Sequence, residues 1–190
     1  MKNFIWGVKK IFSINSRRNR VLVLLSPLFI IGTVHLTTST SHTHLSDNAW
    51  IMTALTYWGL SGLMIALFIS KLELKGWLKN PVFSRKWLVI GLLIGIFPAL
   101  GILLPNLKLL ADYPVITLFL FLVALINPLF EEGYWRGLLL DAGKDYPRWA
   151  IILYSTFFFV LSHPLMWGVF SIANRSVQMY ITLFIMGIVW

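Results

Sequence analysis

Cysteine is absent and acid is scarce. With no thiol in 190 residues, the chain has no disulfide, no thiolate metal site and no cysteine nucleophile. Charged residues make up 12% of the sequence, about half the share usual in soluble domains, while 58% is hydrophobic. Mean hydropathy is +0.79. Such a chain lacks the solvated side chains to cover a water-facing surface, so the bilayer must be its solvent. Internal repeats and low-complexity tracts are missing too, and the loops are too brief for a separate soluble domain.

What charge there is lies mostly on one sign, 16 Lys and Arg against 7 Asp and Glu, for a net charge of +9. In a soluble protein that excess would raise the question of nucleic acid. Here the bases cluster between apolar runs, and no stripe of basic and aromatic residues falls on a soluble element. The partners implied are membrane lipids, with the bases facing anionic headgroups, and no nucleic acid.

Residues 1–20 read as a basic arm lying on the membrane surface, with Lys2, Lys9, Lys10, Arg17, Arg18 and Arg20 among Phe4, Ile5, Trp6, Ile11 and Phe12. Thr37-Thr38-Ser39-Thr40 follows the first apolar run without a small-x-small cleavage site, so an uncleaved anchor is expected. Apolar runs then recur at bilayer length, about 20 residues each. Spans are expected near 21–36, 49–70, 87–104, 115–132, 149–167 and 177–190. The expected fold is all-α: a polytopic integral membrane helical bundle of about six segments, the last truncated by the chain end. Residues 1–20 form its arm, 21–114 its N-terminal transmembrane helices, and 115–190 the part that carries chemistry.

Lys and Arg number six in the arm, none in 37–48, five in 71–86, one in the next loop, three in 133–148 and one in 168–176. This alternation predicts a cytosolic N terminus, and short basic loops without cysteine fit a bacterial cytoplasmic membrane.

Most acids fall in loops or at span ends, where solvation explains them. Glu131 and Glu132 differ, because an apolar helix runs straight into them. Ionisable groups inside membrane helices are costly and tend to be kept for function. Glu132 and Arg136 are four apart and share a helical face, so they can pair. Glu131 is rotated about 100° from Glu132, toward a different face where it can address an interior cavity as a general base. Pro128 removes a backbone donor one turn earlier and should loosen the helix there. In the following span, Phe159 and His163 share a face, and Pro164 interrupts the helix after the imidazole. A lone His in an apolar helix is most often a packing residue; proximity to the Glu pair raises this one above that.

Other features have blander readings. His42, His44 and Asp47 suit a solvated loop better than a metal site. Trp50, Trp87 and Trp149 sit at span starts as interfacial anchors. Gly59, Gly62, Gly91, Gly95 and Gly101 suit close helix packing.

Together, Glu131-Glu132-Gly133-Tyr134-Trp135-Arg136-Gly137 and Phe159-x-x-x-His163 resemble the two motifs of the type II CAAX protease family, also called CPBP intramembrane proteases. Those motifs are Glu-Glu-x-x-x-Arg and Phe-x-x-x-His, and Ser155 one turn before Phe159 also fits. The resemblance covers roughly 115–190. It implies an intramembrane endopeptidase acting on a membrane-anchored, prenylated or otherwise lipidated peptide. By the same resemblance Glu131 activates a water, His163 orients it or steadies the oxyanion, and Glu132 with Arg136 braces the site, with Phe159 beside the substrate. Family members are described as metal-dependent and as glutamate-type. Zinc held by Glu131 and His163 therefore stays open as a cofactor, although no His-Glu-x-x-His helix occurs. The family's further His, with Asn or Asp four residues on, has no counterpart before Trp190, so the core is expected to be C-terminally incomplete. Two alternatives follow: a catalytically incomplete member serving as an immunity or scaffold protein, and a small transporter with a carboxylate-His proton relay.

Overall fold

The computed structural model describes residues 14–46, 49–78, 85, 89, 100, 104, 107–112, 114–170 and 175–189. These residues are helical apart from short turns, and no strand occurs among them. The helices are α1 (Arg17–Leu45), α2 (Ala49–Phe68), α3 (Lys71–Leu78), α4 (Leu107–Asp112), α5 (Pro114–Glu131), α6 (Leu139–Ala142), α7 (Arg148–Ser162) and α8 (Val177–Val189). Two π-helical segments, Glu132–Leu138 and His163–Trp167, join α5 to α6 and extend α7. Among the described residues, three stretches are long and apolar enough to cross a membrane, Arg17–Leu45, Ala49–Phe68 and Arg148–Trp167. The chain is an all-α helical membrane bundle. Most of the span expected at 87–104 lies outside the described residues, as do Trp87, Gly91, Gly95 and Gly101.

The described residues form two compact units. One runs up to Ser70 and resumes at Leu129; the other is Lys71–Pro128. The second holds α3, α4 and α5 up to Pro128. The motif residues all belong to the first, whose construction follows.

Helix α1 shows how membrane helices sort their faces. Its buried positions, Asn19, Val23, Ser26, Pro27, Ile30, Ile31, Val34 and Thr38, recur at helical spacing. Leu25, Leu28, Phe29 and Leu36 are exposed, as suits a lipid-facing side. Asn19, Ser26 and Thr38 set polar groups among the aliphatic Val23, Ile30, Ile31 and Val34 on the inner face. Pro27 removes the amide that would bond the Val23 carbonyl, and the Ser26 hydroxyl donates to that carbonyl instead, at 2.6 Å.

The expected end of the first span at Leu36 needs correcting. Helix α1 continues through the threonines to Leu45. The hydroxyls satisfy carbonyls of their own helix, Thr38 on Val34 at 2.7 Å and Thr43 on Thr40 at 2.7 Å. Thr38 also lies 2.8 Å from the Thr53 hydroxyl of α2, fixing the two helices at one level.

At the other end of this unit, Arg20 pairs with Asp145 at 2.5 Å, and the Lys144 ammonium donates to Asn15 at 3.2 Å. The segment before α1 and the turn before α7 therefore share one end of the unit.

Candidate active site

Both motifs sit where α-helix changes to π-helix. Glu131 is the last α residue of α5 and Glu132 opens the first π segment; His163 opens the second. The loosening expected at Pro128 is displaced: α5 runs through that proline, and the wider turn begins four residues later. A π turn leaves backbone carbonyls without their usual donors and is common at functional sites.

Side chains fill those vacancies. The Ser155 hydroxyl of α7 donates to the Trp135 carbonyl at 2.6 Å, tying the first π segment to the helix that carries Phe159. In α7, Pro164 has no amide to offer Val160, and the His163 amide turns to that carbonyl. The Phe159 carbonyl then accepts from the Ser162 hydroxyl at 2.7 Å and from the His163 imidazole at 2.9 Å. A carbonyl can only accept, so Nδ1 carries the proton and Nε2 keeps its lone pair.

Four of the five expected site residues form a chain of contacts. Arg136 pairs with Glu132, and its guanidinium carbon lies 5.4 Å from the centroid of the Phe159 ring. That ring meets the His163 imidazole edge-on at 4.7 Å. The Trp135 ring also meets Phe159 edge-on, at 6.1 Å. Glu132 itself is 45% exposed, so it cannot be the buried carboxylate of the pair. Glu131, half-buried, interacts electrostatically with the Tyr57 hydroxyl of α2.

Tyr57 is the residue that sequence reasoning missed. It is fully buried, and it accepts a hydrogen bond from the Trp135 indole at 2.8 Å. Trp135 is thus a positioning group for the helical turn that carries both glutamates. The available signal was a stripe in α2, since Thr53, Tyr57 and Ser61 recur every fourth residue and are all buried. Tyr134 adds a second tie: Ser26 has given its proton to Val23, so the Tyr134 phenol donates to Ser26, at 2.6 Å.

The donor set can be tested for zinc. Among the described residues no three His, Cys, Asp or Glu side chains converge as a metal site would need. The described donors therefore do not make up an open zinc site. His42 and His44 fall in α1 rather than in a loop, with His42 edge-on to Phe170 at 5.7 Å.

Residues 113–190 match the family model for type II CAAX prenyl endopeptidases, Rce1-like. The match bears out the resemblance seen in the motifs, and every motif residue falls inside it. No curated protein and no solved structure matches the chain. At family level the similarity is to CAAX-protease-like intramembrane peptidases. Within the Rce1-like stretch, the two motifs meet through Arg136, Phe159 and His163 in one compact unit.

Proposed function

We propose that this protein is an intramembrane endopeptidase that hydrolyses a peptide bond in a membrane-anchored or prenylated peptide. The observation that carries this reading is the His163 anchor, which commits Nδ1 to Phe159 and reserves Nε2 for a reacting group.

In this mechanism the Glu131 carboxylate takes a proton from a water while the water oxygen attacks the peptide carbonyl carbon. Nε2 of His163 accepts the second water hydrogen and so aims the oxygen lone pair. The carbon–nitrogen bond then breaks, and the proton held by Glu131 passes to the leaving amine. Glu132 and Arg136 hold the π segment in place, and Arg136 keeps Phe159 packed against the imidazole. Three features support the assignment: the Rce1-like match, the burial difference between the two glutamates, and the Tyr57–Trp135 tie that fixes their helix.

The orientation that goes with this reading has a cytosolic N terminus, supported by the alternation of Lys and Arg. A reporter fused before Met1 should then stay inaccessible from outside intact cells.

The competing reading is a membrane immunity or scaffold protein that binds a membrane partner without cutting it. Reconstitution in liposomes with a prenylated peptide reporter separates the two. Accumulation of a new amine terminus supports the peptidase; saturable reporter binding with no cleavage supports the scaffold.

A further inference from the structure

A cavity of about 220 Å³ within the first unit is lined by Phe159 and Trp135 and not by His163. Its walls come from the first π segment, from α7 and from the end of α8. Along α7 it is lined by Arg148, Ile152, Ser155 and Phe159, spaced as one helical face. Arg136, Gly187 and Ile188 also line it. Gly187 packs closely on α7: a Cβ would lie 2.6 Å from the Thr156 methyl, so the Thr156 side chain would have to shift.

The charge balance is unusual for a membrane helix. Two guanidiniums line the space, and none of the described lining side chains is acidic. Glu132 compensates Arg136 from outside the lining, whereas Arg148 has no ion pair among the described residues. One positive charge therefore remains for one monoanion. Arg148 also opens the membrane-length stretch Arg148–Trp167, so its guanidinium stands at headgroup level whichever way the chain is inserted. Ile152, Leu140 and Ile188 give the cavity an apolar part beside Ser155 and Thr156. The volume is several times the ~30 Å³ that a water occupies, enough for a phosphate group and the start of a glycerol.

We propose that this cavity binds the phosphodiester of an anionic glycerophospholipid, with Arg148 and Arg136 on the phosphate and the acyl chain along the Ile152–Ile188 wall. Arginine suits the task because its planar fork gives paired charge-assisted hydrogen bonds to phosphate oxygens. Arg136 belongs to both the lipid site and the motif that packs on Phe159, so lipid occupancy would steady the turn that carries the glutamates. The inference is independent of peptide-bond cleavage and is read by binding alone.

The test uses the full chain in neutral detergent micelles with an acyl-labelled phosphatidylglycerol, following energy transfer from tryptophan. The expected result is saturable binding, displaced by unlabelled phosphatidylglycerol and not by phosphatidylcholine with the same chains. Arg148→Gln should weaken it roughly tenfold or more, as loss of a charge-assisted hydrogen bond predicts. Arg148→Lys should recover part of that loss, and Arg148→Glu should abolish binding. Because Arg148 is exposed, these variants keep the fold, which equal thermal unfolding will verify. Equal displacement by phosphatidylcholine, or unchanged binding in Arg148→Gln, overturns the proposal. Displacement by millimolar inorganic phosphate would assign the site to free phosphate, and displacement by a peptide acid but not its amide would assign it to a peptide terminus. Either result also overturns the lipid assignment.

Discussion

The His163 imidazole donates through Nδ1 to the Phe159 carbonyl, 2.9 Å away and one turn back on its own helix. The bond exists because Pro164 cannot donate to Val160, so the His163 amide takes that carbonyl and leaves Phe159 to the imidazole. A proline thus sets the tautomer of the proposed catalytic histidine.

Pro164→Ala should undo this arrangement. With a donor restored at 164, the α-helical pattern can continue and Phe159 regains the His163 amide. Because misplacement by about 1 Å can cost roughly 100-fold in rate, cleavage should fall by about 10–100-fold. Thermal unfolding in detergent should show no loss of stability, since a helix gains a hydrogen bond. A large loss of stability with unchanged specific activity would contradict the anchor.

The Tyr57–Trp135 bond is buried at both ends. Tyr57→Phe leaves an indole donor unsatisfied, and Trp135→Phe removes the donor and leaves a space. Each should cost about 1–3 kcal/mol. The double substitution should cost less than the sum of the two, because the pair shares one interaction. Strict additivity in a denaturant-unfolding cycle would show that the two side chains act independently.

Much of this protein was legible before its structure. Apolar runs of bilayer length announce the helices, and Glu131, Glu132, Arg136, Phe159 and His163 stand out as polar or patterned residues in greasy surroundings. Which faces look inward was not legible, because a membrane helix is hydrophobic on every side and periodicity fades. Tyr57 was passed over for that reason, and its partner lies 78 residues away. The continuation of α1 through the threonines was missed because hydroxyls that look like loop chemistry were bonded to their own helix. The π turns were invisible too, since they arise from proline and packing rather than from a distinct residue preference.

Glycines offer a contrast that packing alone decides. A Cβ at Gly168 would lie 2.4 Å from the Pro164 carbonyl oxygen, a backbone atom that cannot move aside, whereas one at Gly59 meets nothing within 4 Å. Gly168→Ala should destabilise by about 1–3 kcal/mol and disturb the turn after His163. Gly59→Ala should be neutral or stabilise by up to ~1 kcal/mol, since alanine is the better helix former. Comparing the melting temperatures of both variants with that of the parent checks the pair.

Glu132 pairs with Arg136 while 45% exposed. Glu132→Gln should therefore change stability by no more than ~1 kcal/mol, as for other solvent-screened ion pairs. The measurement is the unfolding midpoint at low and high salt. A cost of several kcal/mol would mean that the pair is sealed from solvent.

The central claim is that Glu131 and His163 do the chemistry, with the rest of the constellation holding them in place. Its most direct test is cleavage of a membrane-anchored peptide reporter by the reconstituted chain, alongside Glu131→Gln and His163→Ala matched for folding by thermal melting. A new amine terminus is expected with the parent chain, and none above background with either variant. Cleavage that survives both substitutions would contradict it.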